Sequence, residues 1–453
     1  MKKYIFLTLL CSVCCSFVSA QTYTLEQLKD SALKHNNAMR AARFDVEAAR
    51  QQRREAFTKY FPNVSGTAAW FNANKHIVSA DVNPAEYIPQ SLAATMAQVL
   101  PAEALAALAS PVSISMLKDG VLAGVNAVQP VFAGGQIING NRLAKVGEDV
   151  GLLKLQLTEN EVTLQTEQYY WQLVSLNEKV KTLDAVDSLL AGIGKDVEVA
   201  VRAGVALRND LLQVQLRQND VASQRLKLQN GISLVQMLLG QYCGLSSSEF
   251  IVHSSKLLPT DSINAEPDYE LCTMNCALTN LPEYQLLQKQ VEAARLQHRM
   301  EVGSRLPSVG VGVGYNYNNL VMKQDMSFGM VFATVSVPLS DWWGGSHAIK
   351  RKKIAVQKAE EQLADNAEML TIRMRKTHND MEEALQQVTL AKKGIEQAEE
   401  NLRLNRDYYR AGTSRMADLL EAQLLYQQTC DRYVEATADY QIKKTLYRQA
   451  MGR

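Results

Sequence analysis

The sequence predicts a mainly α-helical protein in which long helical hairpins occur twice, together with four β-strands of membrane type. Three observations predict this fold class. The chain repeats itself in order along most of its 453 residues, it contains long proline-free stretches with coiled-coil periodicity, and it has four charge-free segments of strand length. Together they indicate tandem coiled-coil hairpins combined with membrane strands.

The first twenty residues, MKKYIFLTLLCSVCCSFVSA, have the pattern of a secretory signal peptide. Basic residues precede an apolar stretch, and the small residues at 18–20 suit signal peptidase, so we expect cleavage before Gln21. The cysteines in this stretch lack the small residues that precede a lipid-modified cysteine, which makes lipid attachment the weaker alternative. The predicted signal peptide is residues 1–20.

Charge and hydropathy narrow the class of protein further. The net charge is +1, so nothing indicates a nucleic-acid partner. After the signal peptide no uninterrupted apolar run reaches 18 residues, so a membrane-spanning helix is not predicted. A secreted chain of this kind is periplasmic, extracellular or an outer-membrane barrel.

The internal repeat is clearest in two glycine-containing segments. VRAGVALRNDLLQVQ (201–215) and YRAGTSRMADLLEAQ (409–423) lie 208 residues apart, whereas two copies of VEAAR, at 46–50 and 291–295, lie 245 apart. The difference places an insertion in the first copy, at about 75–119. The predicted first repeat is 21–240 and the second is 281–453, with an equatorial segment, 241–280, between them.

Each repeat is predicted to hold a short helix, a long helix and a returning helix. The predicted helices are 34–60, 143–203 and 209–240 in the first repeat, and 282–305, 348–411 and 415–448 in the second. Apolar residues step by three and four along the long helices, as in a coiled coil. They are Leu173, Leu176, Val180, Leu183, Val186, Leu190, Ile193, Val197 and Ala200, and in the second repeat Val388, Ala391, Ile395, Ala398 and Leu402. A 60-residue helix is about 90 Å long, so two shorter helices stacked end to end can pair with it.

Four segments without charged residues are predicted to be strands: 63–73, 121–133, 308–318 and 326–339. Their length suits tilted membrane strands, and small or polar residues alternate with apolar ones. Aromatic residues near both ends resemble the girdles of a membrane barrel, and the alternative is a soluble sheet. The predicted girdle residues are Trp70, Phe71, Phe132, Tyr315, Tyr317, Trp342 and Trp343. Four strands cannot enclose an open bore, whereas three chains supply twelve.

Two further features have open interpretations. The alanine-rich stretch 93–109 of the insertion is expected to form a short helix over the pore mouth. Four cysteines follow the signal peptide, Cys243, Cys272, Cys276 and Cys430, and their pairing cannot be deduced. Cys272 and Cys276 have no histidine at ligand spacing, so packed thiols are favoured over a metal site.

Gly204 and Gly412 are predicted to be hairpin tips, because glycine adopts positive φ freely and both occur at matching positions. The alternative is a tolerated mid-helix glycine. Asp418 and Glu421 then share a helix face, and in a threefold pore they would form acidic rings that favour cations. Asp210 is the weaker equivalent in the first repeat, because Gln213 follows it. The alternative is a solvated helix face.

These motifs resemble the outer-membrane efflux factor (TolC-like) family. The resemblance rests on LEQLKDSALKHNN (25–37), the x-Pro-x-Val strand starts at Pro62 and Pro307, and the two RAG-x5-D-L-L segments. The Gly-Gly pairs at 134–135 and 344–345, at the start of each long helix, complete it. The resemblance covers nearly the whole mature chain.

The resemblance implies a homotrimer with a twelve-stranded barrel in the outer membrane and an α-helical barrel crossing much of the periplasm. It implies a non-enzymatic channel without a cofactor, which docks an inner-membrane pump, proton-driven or ATP-driven, through a periplasmic adaptor. The residues expected at the tips, for gating or adaptor docking, are Arg202, Arg208, Tyr409, Arg410 and Arg415. Two alternatives remain, a periplasmic coiled-coil adaptor and a scaffold without a pore.

Overall fold

The computed structural model describes residues 21–75, 77–108, 110–116, 119–245, 250–252, 277–319, 325–339 and 341–452. The predicted signal peptide, Cys272, Cys276 and most of the segment 241–280 lie outside these residues. Cys243, which is buried, and Cys430 carry free thiols. Burial raises the pKa of Cys243 to about 12, so this thiol stays protonated.

The described helices and strands follow the same order twice. The helices are α1 Leu25–His35, α2 Asn37–Thr58, α3 Gln90–Val99, α4 Ala102–Leu108, α5 Gln136–Arg202, α6 Arg208–Cys243, α7 Pro282–Gly303, α8 Asp341–Arg410 and α9 Met416–Ala450. The strands are β1 Gln21–Tyr23, β2 Asn63–Asn72, β3 Val78–Val82, β4 Val112–Met116, β5 Asp119–Ala133, β6 Phe250–Val252, β7 Ser308–Asn318 and β8 Met326–Ser336. Helix, strand, strand, long helix and returning helix thus occur in both repeats.

The chain forms two compact units, each with segments from both repeats. The helical unit comprises the described residues of 1–50, 146–292 and 357–453. The sheet unit comprises the described residues of 51–145 and 293–356. None of the described helices combines the length and the apolar character that crossing a bilayer requires.

The first helical segment differs from the prediction of one helix over 34–60. It is two helices, α1 and α2, separated at Asn36, whose backbone is extended. The Asn36 side chain is buried; its Oδ1 accepts from the Ala38 N–H at 2.8 Å and its Nδ2 donates to the Tyr242 carbonyl at 3.2 Å. An asparagine that caps a new helix in this way stops the previous one, and α1 is thereby held against α6.

Both long helices begin seven residues earlier than predicted, at Gln136 and Asp341. The two Gly-Gly pairs also differ. Gly134 and Gly135 have φ values of 58° and 74° and form the turn before α5, and a Cβ on Gly134 would lie 2.0 Å from the Gly303 carbonyl oxygen. The pair at 344–345 instead lies inside α8. The Gly-Gly motif therefore makes a turn before the long helix only in the first repeat.

The predicted coiled-coil seam is buried. Leu183, Val186 and Leu190 of α5 pack with Val221 of α6 in one apolar cluster. In the second repeat Val388 belongs to a larger cluster that includes Met374 and Tyr447 of α8 and α9. The helical hairpins are thus held by apolar side chains at coiled-coil spacing.

The main sheet is antiparallel throughout and has the strand order β2-β5-β7-β8. β5 begins two residues before the predicted strand, and β8 ends three residues before its predicted end, ahead of Pro338. A bulge interrupts the pairing of β5 with β7 between Pro130 and Phe132, where proline has no N–H to donate. β1 pairs with β6 in a separate two-stranded parallel sheet.

The insertion forms a hairpin, β3 with β4, that encloses a 3₁₀ turn and the helices α3 and α4. The prediction of one short helix over 93–109 is therefore wrong. Leu100, which precedes Pro101, is extended at φ −106° and ψ 145° and ends α3. Proline disfavours helical backbone in the residue before it, so the alanine-rich stretch is divided between two helices.

Candidate functional site

Gly204 and Gly412 lie at the tips of the two helical hairpins. Their φ values are 74° and 73°, and a Cβ on either would meet nothing within 4 Å. The Gly204 N–H donates to the Val201 carbonyl at 3.0 Å and the next N–H, that of Val205, donates to the Ala200 carbonyl at 2.9 Å. These are the two bonds of a Schellman helix end. The backbone conformation, not lack of space, therefore favours glycine here.

The second tip has the same hydrogen bonds. The Gly412 N–H donates to the Tyr409 carbonyl and the Thr413 N–H to the Tyr408 carbonyl, both at 3.0 Å. Thr413 Oγ1 also donates to the Tyr408 carbonyl, at 3.1 Å. The two tips are thus the same turn, built from different side chains.

Asp210 and Asp418 sit in the first turn of the returning helices, six residues after each glycine. The Asp418 carboxylate accepts from the Arg415 N–H and from the Ser414 hydroxyl, both at 3.1 Å. The Asp210 carboxylate accepts from the Leu207 N–H at 3.4 Å. An acidic side chain here satisfies a helix-start N–H and suits the positive end of the helix dipole. The repeated Gly-x5-Asp spacing therefore has a structural cause.

Glu421 differs from both aspartates because nothing in the hairpin turn uses its carboxylate. It lies three residues after Asp418, on the same side of α9, and both side chains are exposed. Asp210 is half-buried, and the equivalent of Glu421 is Gln213, whose buried Oε1 has no hydrogen-bond partner. The acidic pair thus occurs at the second tip only.

An apolar cluster joins the first hairpin to the second close to the tips. Ile193, Val197 and Val214 pack with Met416 and Leu419. Tyr409 borders this cluster, and burial, followed by the negative charge of Asp210, raises the pKa of its hydroxyl. The two hairpins of one chain are therefore fixed to each other by apolar contact near the turns.

The arginines at the tips divide into two groups. Arg410 lies 3.5 Å from Asp196 and so links the second hairpin to the first, whereas Arg202 pairs with Glu198 of its own helix at 3.4 Å. Arg208 and Arg415 are exposed and form no ion pair within the described part of the chain. These two guanidinium groups are available to another chain.

Next to the tip cluster lies a polar seam that sequence reasoning missed. Arg217 of α6 donates from Nε to Gln423 and from Nη2 to Gln427 of α9, both at 2.9 Å, and Gln427 donates to Gln224 at 2.7 Å. Gln423 is 0% exposed, and burial lowers the pKa of Arg217 although Asp220 opposes the shift. The sequence does contain a signal for this seam: Gln423 and Gln427 continue the helical stripe of apolar residues that includes Met416 and Leu419.

The main sheet has two chemically different faces, which follow from the register of its strands. The apolar face carries mostly valine, alanine and aromatic side chains. The mixed face carries mainly Ser, Thr, Asn and Gly on β2, β5 and β7, with Phe71, Leu122 and Val128 among them, and a continuous row of larger apolar side chains on β8. On the apolar face Val331 is 84% and Trp70 71% exposed, whereas on the mixed face Phe328 is 43% exposed.

The predicted girdle residues do not all share one face. Trp70, Tyr315, Tyr317 and, after the bulge, Phe132 lie on the apolar face. Phe71 follows Trp70 in the same strand and so points to the mixed face. Trp343 lies in the first turn of α8 and is 87% exposed; Trp342 is beside it, with a side chain outside the described part. Trp70 and Phe71 therefore point to opposite faces of the sheet.

Comparisons with known proteins agree with this architecture. A family model described as "Outer membrane efflux protein" matches residues 274–453, while none of the curated protein sequences compared with the chain matches it. The structure of the outer membrane protein VceC from Vibrio cholerae is similar with a TM-score of 0.72 at 14% identity, covering 94% of this chain and 96% of VceC.

Two further structures are similar over most of the chain. CusC has a TM-score of 0.76 at 13% identity and 96% coverage of both chains. The open state of the Neisseria gonorrhoeae MtrE outer membrane channel has a TM-score of 0.71 at 13% identity, covering 94% of this chain and 88% of MtrE. The predicted family resemblance is confirmed over residues 274–453, and the fold class of long helices with a four-stranded sheet is confirmed.

Proposed function

We propose that this chain, which has the fold of outer-membrane efflux channels and matches their family over its second repeat, is an outer-membrane exit duct. It works as a homotrimer in a tripartite efflux or type I secretion system. An inner-membrane pump, proton-driven or ATP-driven, delivers the substrate, and a periplasmic adaptor protein connects the pump to the duct. Most of the mass lies in the periplasm, and the strands contact outer-membrane lipid.

The observation that carries this proposal is the four-stranded sheet with one apolar face. A sheet in lipid must satisfy every backbone group, so the outer strands β2 and β8 need partners. Three copies joined edge to edge give twelve strands in a closed barrel, which is wide enough for a bore. The apolar face then contacts lipid and the mixed face lines the bore.

The length and the aromatic residues of the apolar face support this placement. Tyr317 lies near one end of β7 and Val309, opposite Phe132, near the other. The eight residue steps from Val309 to Tyr317 span about 26 Å along the strand, similar to the apolar band of membrane barrels. Aromatic residues at both ends resemble interfacial girdles.

The hairpin tips form the periplasmic entrance in this proposal. Glu421 and Asp418 of three chains surround it and favour cations, with Asp210 as a weaker contributor. Arg410, paired with Asp196, and Tyr409, beside Asp210, hold the two hairpins of a chain together. Exposed ion pairs contribute about 0–1 kcal/mol each, so such contacts can release when an adaptor docks.

The exposed arginines at the turns suit the adaptor contact or contacts between neighbouring chains. Arg208 is the first residue of α6 and Arg415 directly precedes α9, and Arg202 ends the long helix of the first hairpin. Charge reversal at Arg415 and Asp210 tests a closing role, because loss of closing contacts should raise the conductance of the resting pore. A conductance that stays low counts against a closing role.

The alternative is a periplasmic coiled-coil adaptor or a scaffold without a pore. A four-stranded sheet whose apolar face is this exposed argues against both, since a periplasmic protein would leave this face in water. The test is fractionation of the full chain followed by planar-bilayer recording of the purified particle. The duct predicts a heat-modifiable outer-membrane oligomer with discrete channel openings. A protein in the periplasmic fraction without channel activity would refute it.

A further inference from the structure

β8 carries an unusual row of side chains on the mixed face. Met326, Phe328, Met330 and Phe332 alternate with Ser327, Gly329, Val331 and Ala333. The four larger residues, Met326, Phe328, Met330 and Phe332, are called the Met–Phe row. In this strand the larger side chains lie on the face that is polar in β2 and rich in glycine in β7, and the smaller ones on the apolar face.

Crowding identifies the mixed face as the inner face of a closed sheet. A Cβ on Gly312 would lie 2.4 Å from Cζ of Phe332, and a Cβ on Gly314 would lie 2.1 Å from Oδ1 of Asn126. On the apolar face a Cβ on Gly66 would meet nothing within 4 Å. Side chains converge on the inside of a barrel and spread apart on its outside, so the glycines of β7 make room inside.

Packing accounts for only one member of the row. The ring of Phe332 covers Gly312, which stabilises that strand pair and leaves Phe332 half-buried. Met326, Phe328 and Met330 remain 48%, 43% and 41% exposed. The Asn316 amide donates to the Met330 sulfur at 3.3 Å, which orients the thioether. Three apolar side chains of this row are thus presented to the bore in each copy, in addition to Phe71 of β2 and Leu122 of β5 on the same face.

The chemistry of the row identifies what it contacts. We infer that the Met–Phe row is a contact surface for flat aromatic substrates passing through the bore; this inference rests on the proposed function. Phenyl rings stack on other rings, and thioethers contact ring edges favourably. The inward positions of β2, β7 and β8 hold no charged residue among those described, so the wall selects for aromatic surface and not for charge.

A soft metal ion is a poorer occupant of the same row. Met326 and Met330 are four residues apart in one strand, so their Cα atoms are separated by about 13 Å. Two thioethers must approach one ion to within about 2.5 Å each, which an extended strand does not allow. Aromatic surface therefore fits the spacing better than metal coordination.

The test compares two cations of equal charge in bilayer recordings of the full-length channel. Ethidium is expected to reduce the current at concentrations at which tetraethylammonium does not. The variant Phe328→Leu keeps the apolar volume but loses the ring, and should weaken the ethidium effect by roughly 2- to 10-fold. Val331→Leu, three residues further along β8 and on the apolar face, is the matched control and should leave it unchanged.

The outcomes separate this inference from the proposed function. Channels on which ethidium and tetraethylammonium act alike, or on which Phe328→Leu has no effect, overturn the row as a contact surface and leave the duct intact. The absence of channels from the unsubstituted chain overturns both. If Phe328→Leu fails to assemble, Met330→Leu is tested in its place, because it removes the sulfur at nearly constant volume. An ethidium effect that Met330→Leu leaves unchanged then counts against the row.

Discussion

At the scale of single residues, the repeated glycine and aspartate have separate roles. Gly204 and Gly412 end one helix, and Asp210 and Asp418 start the next. Both pairs are visible in the sequence, because the same turn in the two hairpins requires the same spacing between glycine and aspartate. The sequence pattern predicts the aspartates only at the pore entrance. Their hydrogen bonds to the helix-start N–H groups are not predictable, because a sequence does not show which N–H donates to a carboxylate.

Replacing Gly412 by alanine should destabilise the second hairpin. The left-handed backbone at φ 73° costs a residue with a Cβ about 1–2 kcal/mol, although no neighbour obstructs the methyl group. The thermal unfolding midpoint, followed by circular dichroism, should fall. Gly192→Ala, at an exposed mid-helix position that is also unobstructed, is the control and should raise the midpoint or leave it unchanged. Equal effects at both positions would contradict the assigned turn.

Substitution of Glu421 is expected to change ion selectivity alone, whereas substitution of Asp418 should change both selectivity and stability. Glu421→Gln removes one charge per chain without touching the helix start, so the cation-to-anion permeability ratio should fall while the unfolding midpoint stays constant. Asp418→Asn keeps an acceptor for the Arg415 N–H but loses the charge, and it should lower both quantities. Reversal potentials in a salt gradient measure the ratio. If Glu421→Gln leaves the permeability ratio unchanged, Glu421 does not form an acidic ring that favours cations.

At the scale of helices and strands, periodicity predicted well wherever apolar residues form the contact. Six residues of the predicted seam of α5 are buried, whereas Leu176, Val180 and Ala200 are half-buried. The polar seam between α6 and α9 was missed because its glutamines occupy core positions that periodicity reserves for apolar residues. The break at Asn36 was missed because it depends on Tyr242, which lies far away in the sequence.

The polar seam should respond differently to single and combined substitutions. Arg217→Met leaves the Gln423 and Gln427 oxygens without their donors, and should lower the free energy of unfolding by about 1–3 kcal/mol for each buried group. Adding Gln423→Leu and Gln427→Leu removes those unpaired groups and should restore much of the loss. Denaturant unfolding of the unsubstituted chain and the two variants measures this. A combined variant less stable than Arg217→Met would show that unpaired polar groups are not the cause of the lost stability.

The two faces of β2 can be distinguished by chemical labelling. Trp70→Cys places a thiol on the proposed lipid face and Phe71→Cys places one on the bore face, only one residue away. A water-soluble maleimide should label Phe71→Cys in intact cells much faster than Trp70→Cys, with the unsubstituted chain as background. Comparable rates would mean that both faces meet water, as in a soluble sheet.

At the scale of the whole molecule, the sequence predicted the fold class because its repeat, its proline-free stretches and its charge-free strands all favour the same architecture. The division into two compact units was not predictable in this way. Each unit combines segments from both repeats, so its boundaries depend on contacts between distant segments. The register that places Phe71 and the Met–Phe row on one face is likewise set by strand pairing.

The central claim is that three copies pool their strands into one closed barrel. The most direct measurement is the native mass of the particle extracted from outer membranes in mild detergent. The account predicts three chains per particle, which dissociate to single chains on heating. A particle of one or two chains would contradict it, because four or eight strands cannot enclose an open bore.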